Sequence, residues 1–473
     1  METAHLTDQH QRLNKETFEG VSGLLGDMFD IEGFTQALRS PQASPVSLAA
    51  FERRLAYPRM PVEFSPTFYE RPKTPGGGVS ETPLESLVFD TGEERVQVLD
   101  KREDMQPHVF NYKGRGARHA ILRVLNGKAR KQIMTTASAG NHALSTALVT
   151  ASLNHILPNS LRLQAEVHCR RAISAAKLAA LQQYSNVILK PHYETLEDAF
   201  MGAEQAVAAN TFRAMVHPFD DENTIVGPTT MALEYVAQLK NAGVDLQRRV
   251  LRLRVGMGGG GLAAGSLIAW DILKAQGVIH PDSEIIGVES EWNDSINREI
   301  TGRPPLTAET INTSADGIAT LRGGRKTVSV IAHRISGIEV VSNDHLALAC
   351  GTLASAHDGK APELAGALSL AALIQHREAA PGHPDSDILE LTVTSGANIA
   401  TELLLELGKQ YADHPELRYR MAAVALKAAG LRGNKTSTAT YNTENRRNPG
   451  IGSLAKPAQA GRVLNVWKGA VTR

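Results

Sequence analysis

The stretch Asn111 to Ala117, Asn-Tyr-Lys-Gly-Arg-Gly-Ala, decides the fold when it is combined with Ser138 to His142, Ser-Ala-Gly-Asn-His. In the first stretch, Lys113 follows a polar and an aromatic residue and precedes what we interpret as a turn of small residues. A Schiff-base lysine needs a partly desolvated site and close backbone packing. The second stretch leads into a predicted helix, whose free N–H groups suit a carboxylate. Together the stretches predict a site for an aldehyde cofactor beside an amino-acid carboxylate.

Each stretch also has an ordinary interpretation when it is considered alone. Lys113 is then a surface charge, and Ser138 is the N-cap of the helix that follows. Capping and ligand binding are compatible, because the same helix start serves both. Asn141 adds a donor and an acceptor for a phenolic oxygen on a cofactor ring.

The glycine-rich segment Gly256 to Leu262, Gly-Met-Gly-Gly-Gly-Gly-Leu, follows a predicted strand and opens a predicted helix. It satisfies the Gly-x-Gly-x-x-Gly pattern of dinucleotide-binding folds, in which Glu289 at the end of the next strand would bind the ribose. Four consecutive glycines fit better with backbone amides that surround a single terminal phosphate. We therefore favour a phosphate site over a dinucleotide turn.

The segment Ser395 to Asn398, Ser-Gly-Ala-Asn, follows another predicted strand. It is either a plain turn or the place where the Ser395 hydroxyl contacts a pyridine nitrogen. A hydroxyl does not keep that nitrogen protonated, so the ring is a weaker electron sink, which favours β-elimination over transamination or racemisation. The lysine stretch, the stretch Ser138 to His142 and the four glycines together predict pyridoxal 5'-phosphate as the cofactor.

Composition sets the broad class of the protein. The 473 residues are 42% hydrophobic and 21% charged, which is typical of a globular protein, and 50 Lys and Arg balance 50 Asp and Glu. This balance gives no electrostatic case for nucleic acid or a membrane surface. We see neither an apolar run of the ~20 residues that a membrane helix needs nor a secretory signal. With only Cys169 and Cys350 and no disulfide framework, a cytoplasmic location is expected.

The chain changes character twice along its length. Residues 1–78 are predicted to be an accessory extension, with helical spacing from Phe18 to Leu38, a second helical piece near Leu48 to Leu55, and a Pro-rich linker. From Thr82, short β-branched runs alternate with Ala/Leu-rich helical stretches, as in a doubly wound α/β sheet. Beyond about residue 430 the sequence is basic, and it is interpreted as a solvated tail or as a segment that packs on a neighbouring subunit.

The predicted strands are 96–99, 165–168, 186–189, 250–255, 284–288, 337–341 and 389–393. The predicted helices in this region are 117–125, 141–153, 174–181, 196–209, 229–242, 261–275 and 365–376.

Taken in order, these motifs resemble the fold-type II pyridoxal-phosphate enzymes, and specifically their threonine/serine dehydratase (ammonia-lyase) branch. The resemblance covers about residues 80–405. The segments that carry it are 82–84, 101–106, 112–117, 138–143, 217–221, 258–262, 287–289, 315–317, Glu363 with 365–367, and 395–398.

The resemblance implies a tryptophan-synthase-β-like α/β fold, with two open twisted parallel-sheet domains and the cofactor in the cleft between them. Residues 79–115 and 216–405 would form the large cofactor-binding domain, and residues 116–215 the small domain. A C-terminal helix and the basic tail would follow over 406–473. A homodimer or homotetramer that acts on a small amino acid is expected.

The resemblance also implies the roles of individual residues. Lys113 would form the Schiff base and then remove the Cα proton, Asn141 would contact the ring 3'-oxygen, and Ser395 the pyridine nitrogen. Phosphate binding falls to Gly258, Gly259, Gly260, Gly261 and Leu262. Substrate binding falls to Ser138, which is also a catalytic candidate, and to Ala139, Gly140 and His142.

The implied reaction is β-elimination from a hydroxy-amino acid such as L-threonine or L-serine, which gives a 2-oxoacid and ammonia. Ala139 stands where racemases of this group carry a serine, so racemase activity is not expected. Gly114, Leu364 and Pro228 depart from the usual pattern and put threonine itself in doubt as the substrate. Glu289 is kept as a candidate metal ligand, and the metal is left open.

Three alternatives remain at this point. A β-replacement synthase of the same fold would trap the enamine with a second nucleophile. A non-catalytic member would bind the cofactor or an amino acid for regulation. A nicotinamide oxidoreductase would use the glycine-rich segment as a dinucleotide turn.

Overall fold

The computed structural model describes residues 2–40, 45–53, 67–69, 79–90, 95–127, 130–307, 315–356, 362–379, 387–397 and 462–465. Most of the predicted Pro-rich linker lies outside these residues. So do Asn398 and, apart from 462–465, the predicted C-terminal helix and basic tail.

The N-terminal extension begins with two helices, α1 (Glu2–Met28) and α2 (Ile31–Arg39). The helical pattern predicted over Phe18 to Leu38 is thus divided near Asp30, whose side chain accepts the N–H of Gly33 at 3.2 Å and caps α2. A short 3-10 turn, Leu48–Phe51, takes the place of the second predicted helical piece. The buried face of α1 belongs to the same apolar core as the large sheet.

The larger sheet contains β1 (Leu84–Asp90), β2 (Arg95–Arg102), β7 (Val250–Gly256), β8 (Glu284–Ser290), β9 (Gly337–Val341), β10 (Ile388–Thr394) and β11 (Arg462–Asn465). Its strand order is β11-β1-β2-β10-β7-β8-β9. Strands β1 and β2 are antiparallel and the other pairs are parallel. The larger sheet is therefore predominantly parallel with one antiparallel pair, because the short link between β1 and β2 permits a hairpin but no crossover.

The smaller sheet contains β3 (Ile133–Ala137), β4 (Gln164–Arg170), β5 (Val187–Tyr193) and β6 (Arg213–Met215) in the order β5-β4-β3-β6. All of its pairs are parallel, which confirms the α/β class predicted for this region. Strands β1, β3, β6 and β11 have no counterpart among the predicted strands.

The remaining helices are α3 (Lys113–Asn126), α4 (Asn141–Leu153), α5 (Ala175–Gln182), α6 (Leu196–Ala209), α7 (Glu222–Asn241), α8 (Gly261–Ala275), α9 (Ser295–Ile300), α10 (Arg325–Arg334), α11 (Asn343–Ala356) and α12 (Leu368–Ala379). The predicted bounds of α4, α6 and α8 are confirmed. Within the described residues, every helix is too short or too polar to span a bilayer.

Helix α3 begins at Lys113 itself, so the prediction of a turn at Gly114 to Gly116 is wrong. The helix starts there because Asn111 Oδ1 accepts the backbone N–H of Lys113 at 2.9 Å. Gly116 lies where α3 crosses α7, and a Cβ at this position would be 2.6 Å from the carbonyl oxygen of Thr224. The glycine thus permits close helix contact rather than a turn.

Helix α7 begins at Glu222, seven residues before the predicted start, and Pro228 lies inside it. Proline has no N–H and so leaves the carbonyl of Thr224 without its helical donor. Asp221 stabilises the early start, because its Oδ1 accepts the backbone N–H of Asn223 at 3.0 Å.

Candidate active site

The glycine-rich segment forms the connection between β7 and α8. Gly260 has φ of 87°, a conformation that favours glycine. A Cβ on Gly259 would be 2.3 Å from the Phe219 ring, and one on Gly258 would be 2.8 Å from Cα of Ile318. In the part of the chain that the structure describes, the backbone N–H groups of Gly258 to Leu262 donate to no carbonyl or side chain. Such a cradle at a helix N-terminus fits a phosphate.

The side chain of Lys113 lies beside this cradle. Its Nζ donates to the carbonyl oxygen of Pro218 at 2.9 Å and lies 5.0 Å from the ring centroid of Tyr112 and 5.9 Å from that of Phe219. Because Phe219 also contacts Gly259, the lysine and the glycine loop share one wall.

Two histidines near Lys113 are held neutral. His142 is buried, and its Nε2 bonds with the carbonyl of Val216 at 2.9 Å. Burial, reinforced by the charge of Lys113, lowers the pKa of His142 to about 3. Burial likewise lowers the pKa of His217 to about 4. His217 Nδ1 accepts the backbone N–H of Asp220 at 2.8 Å. Both rings are therefore uncharged at neutral pH.

The segment Ser138 to Gly140 connects β3 to α4. Gly140 is the N-cap residue of α4, and Ser138 Oγ accepts the backbone N–H of Gly140 at 3.2 Å. The alternative in which Ser138 itself caps the helix is therefore wrong. Ala139 lies between them, and the first helical residue, Asn141, donates from Nδ2 to Glu363 Oε1 at 2.6 Å.

Ser395 lies next to the lysine stretch through backbone bonds. Its carbonyl accepts the N–H of Tyr112 at 3.1 Å, and its own N–H donates to Gly366 at 3.3 Å. The next residue, Gly396, pairs with Asn111 in an isolated bridge. The Gly396 carbonyl accepts the N–H of Glu363 at 3.0 Å. This bridge joins Lys113, Ser395 and the Glu363–Asn141 pair into one site.

The role of Glu363 as the partner of Asn141 was not predicted from the sequence. Glu363 belongs to the motif series of the resemblance, but no role was predicted for it. Its signal was the Ala-Gly-Ala sequence at 365–367, because a Cβ on Gly366 would be 2.3 Å from the carbonyl oxygen of Gly396. That close approach places the Glu363 carboxylate against Asn141.

Glu289, the candidate metal ligand, binds backbone instead. Its carboxylate accepts the N–H groups of Ile296 at 2.9 Å and Asn297 at 2.8 Å. Burial raises the pKa of Glu289 to about 7 despite these two bonds. Among the described residues, no group of three His, Cys, Asp or Glu is placed to hold a metal ion.

An α/β fold in which a lysine, a glycine loop at a helix N-terminus and a serine segment lie close together is typical of the pyridoxal-phosphate enzymes of fold type II. The family model described as "Pyridoxal-phosphate dependent enzyme" matches residues 76–392, and the chain belongs to that family. The predicted fold class and the resemblance to the dehydratase branch are thereby confirmed.

Individual relatives agree with this assignment. The chain is 31% identical over 297 residues to the biosynthetic L-threonine dehydratase IlvA of Lactococcus lactis subsp. lactis, which covers 62% of this chain and 66% of that protein. It is 29% identical to IlvA of Pasteurella multocida over 70% of this chain and 60% of that protein. The chain thus spans less than two thirds of either relative.

Solved structures are similar as well. The processed form of threonine deaminase isoform 2 from Solanum lycopersicum has a TM-score of 0.56 and 26% identity, covering 69% of this chain and 82% of that one.

Proposed function

We propose that the chain is a pyridoxal-phosphate-dependent ammonia-lyase that removes water from a hydroxy-amino acid such as L-threonine or L-serine and releases a 2-oxoacid and ammonia. The observation that carries this proposal is that Lys113 and the glycine loop both lie beside Phe219, while the backbone of Tyr112 is bonded to Ser395. We further propose that it is a cytoplasmic homodimer or homotetramer.

Bound pyridoxal phosphate supplies an electron sink that acidifies the Cα–H bond of the substrate. The N–H groups of Gly258 to Leu262 would hold its phosphate. Asn141 would contact the ring oxygen, with Glu363 fixing the Asn141 amide. The Ser395 hydroxyl would face the pyridine nitrogen, and a hydroxyl there leaves the ring unprotonated.

The chain's own residues would then move the proton and hold the substrate. The Lys113 amine would take the Cα proton at Nζ, and the carbonyl of Pro218 orients that amine. Ser138 and the backbone N–H groups of Ala139 and Gly140 would bind the substrate carboxylate at the start of α4. His142 would support this loop from behind, since its Nε2–H is bound to Val216.

The outcome of the reaction follows from two side chains. Ala139 has no proton to deliver to the opposite face of Cα, so inversion is disfavoured. Ser395 supplies a hydroxyl rather than a carboxylate, so the ring does not accumulate the charge that transamination needs. These two side chains therefore favour loss of the β-hydroxyl over racemisation and transamination.

The test is product analysis with L-threonine, L-serine and L-3-hydroxyaspartate. Ammonia and oxoacid are expected in equal amounts from at least one of them. Lys113→Ala should abolish turnover, whereas the matched control Lys190→Ala, on strand β5 of the smaller sheet, should leave it unchanged. An amino-acid product that forms only with an added thiol would show that the reaction is β-replacement rather than elimination. A colourless protein that cannot be loaded with pyridoxal phosphate would refute the proposal.

A further inference from the structure

The segment Thr67 to Tyr69, here called the Tyr69 segment, is part of the N-terminal extension that precedes the family match at residue 76. Its aromatic residues are buried: Phe68 is 1% exposed and Tyr69 5%. Their rings pack edge-to-face on each other and on Phe29 at the end of α1, with centroids 5.2–5.9 Å apart. The extension therefore places a fixed tyrosine hydroxyl inside the protein.

That hydroxyl reaches a buried carboxylate on α7. Tyr69 Oη donates to Glu234 Oε2 at 3.2 Å. Burial, followed by the charge of Glu234, raises the pKa of Tyr69 well above its usual range, so the phenol stays a neutral donor. Glu234 also accepts from Lys101 Nζ at 2.5 Å and from the backbone N–H of Thr82 at 2.9 Å.

Arg115 connects this carboxylate to the lysine helix. Its guanidinium binds Glu234 at 3.0 and 3.1 Å and Glu103 at 2.8 Å through two nitrogens. The two cations, Lys101 and Arg115, balance the two carboxylates. Tyr69 thus adds a directed hydrogen bond without changing the charge of the cluster, and Arg115 is only two residues after Lys113.

A second contact holds the next turn of the same helix. Arg118 donates to the carbonyl oxygen of Thr67 from Nε at 3.1 Å and from Nη2 at 2.6 Å. On an α-helix, each residue turns by about 100°, so Arg115 and Arg118 lie roughly 200° and 140° around the axis from Lys113. The Tyr69 segment therefore contacts the face of α3 that is opposite to the lysine. It does so directly at Arg118 and through Glu234 at Arg115.

We propose that the Tyr69 segment positions Lys113 for the cofactor, with Tyr69 as a positioning residue that acts through Glu234 and Arg115. The inference rests on the proposed function, in which Lys113 is the lysine that binds the cofactor. The structural effect does not depend on that function, because the hydrogen bond from Tyr69 to Glu234 fixes the position of the first turn of α3 through Arg115. The extension is then a built-in support for the active-site lysine rather than a passive appendage.

The test compares Tyr69→Phe with wild type and with Tyr235→Phe. Tyr69→Phe removes only the hydroxyl. Tyr235→Phe removes a buried hydroxyl that binds backbone carbonyls of Leu99 and Thr392 and makes no bond to the Glu234 carboxylate. Apo protein is mixed with pyridoxal phosphate, and the rate and equilibrium constant of loading onto Lys113 are measured from the visible absorption band. Hydrogen exchange of the α3 amides is measured without cofactor, and thermal midpoints are recorded for all three proteins.

The expected result is loading of Tyr69→Phe that is weakened by about tenfold, as for the loss of a hydrogen bond to a charged group, together with faster exchange in α3. Tyr235→Phe should load like wild type even where its midpoint falls. Wild-type loading and exchange in Tyr69→Phe, with only a lower midpoint, would overturn the proposal.

Should Tyr69→Phe fail to fold, Arg118→Lys provides the second test. This variant keeps the positive charge but loses the pair of hydrogen bonds to the Thr67 carbonyl. It should slow loading and speed exchange in α3, and normal values of both would overturn the proposal. Failure of the proposed function gives a different result. In that case the protein loads pyridoxal phosphate without releasing ammonia, and the hydrogen exchange of α3 still decides the role of Tyr69.

Discussion

Glu103 and Glu289 are both fully buried carboxylates, yet their surroundings differ. Glu103 lies behind the lysine helix with Arg115 at 2.8 Å. Burial alone would raise its pKa, but the Arg115 guanidinium, together with Lys101 and the Thr82 hydroxyl, lowers it. Glu289 has two backbone N–H partners, and burial raises its pKa to about 7. The protein thus keeps one carboxylate charged with a cation and leaves the other close to protonation at neutral pH.

The difference indicates which region responds to pH. Arg115 lies against Glu103 and lowers the pKa of that carboxyl, so the carboxylate behind Lys113 resists protonation. The Glu289 carboxyl changes its protonation near neutrality, so it contributes to the pH dependence of stability.

The largest expected effect comes from breaking the paired cluster. Arg115→Met leaves Glu103 and Glu234 buried with one cation fewer, which should cost about 3–5 kcal/mol of unfolding free energy. Urea unfolding followed by circular dichroism measures this loss. Arg12→Met, which removes the exposed pair with Glu16 on α1, is the control and should leave the urea midpoint in place. A similar midpoint for both variants would contradict the account.

The second prediction concerns Glu289. Its pKa is raised from 4.5 to about 7 on folding, so its contribution is most favourable below pH 4.5 and is lost as the pH rises through 7. The loss amounts to about 3 kcal/mol. Glu289→Gln does not titrate, so its stability relative to wild type should rise by that amount between pH 4.5 and 7.5. A difference that stays constant with pH would be evidence against the raised pKa.

Buried histidines act in the opposite direction. Burial lowers the pKa of His119 to about 4, so its contribution is present above pH 6.5 and is lost as the pH falls toward 4. Wild type and Glu289→Gln both carry these histidines. The difference between the two proteins therefore isolates Glu289.

The third prediction separates packing from charge in the support of α3. Gly116→Ala would place its Cβ 2.6 Å from the Thr224 carbonyl oxygen, which should cost about 1–3 kcal/mol because the two helices must move apart. The loss should be the same at pH 5 and pH 8, since no titrating group is involved. Chemical unfolding at both pH values checks it, and a loss that changes with pH would count against a purely steric cause.

The smallest expected effect is a gain in stability. Gly26 lies in α1, and a Cβ there meets nothing within 4 Å. Gly26→Ala should stabilise the protein by up to about 1 kcal/mol through helix propensity. A higher thermal midpoint would show that α1 is a helix that unfolds together with the core.

The sequence was sufficient to predict an element wherever the residues that determine it are close together in the chain. The bounds of α4, α6 and α8 and the glycine segment between β7 and α8 were predicted, because apolar periodicity and small-residue turns occur there together. The positions of Lys113, Asn141 and Ser395 on the chain were also identifiable, since each residue follows or begins a predicted element.

The rest depends on contacts between distant elements. Gly116 resembles a turn residue until α7 is known to cross it, and Pro228 resembles a helix start until Asp221 is seen to cap an earlier turn. The partnership of Glu363 with Asn141 joins residues 222 positions apart. The same is true of Tyr69 and Glu234, which no local pattern connects.

The role of Lys113 can be tested by locating the lysine that binds the cofactor. The purified protein is loaded with pyridoxal phosphate, reduced with borohydride and digested, and the labelled peptide is sequenced by mass spectrometry. A single label on Lys113 is expected, and it should be absent in Lys113→Ala. A label on another lysine, or none at all, would contradict that role.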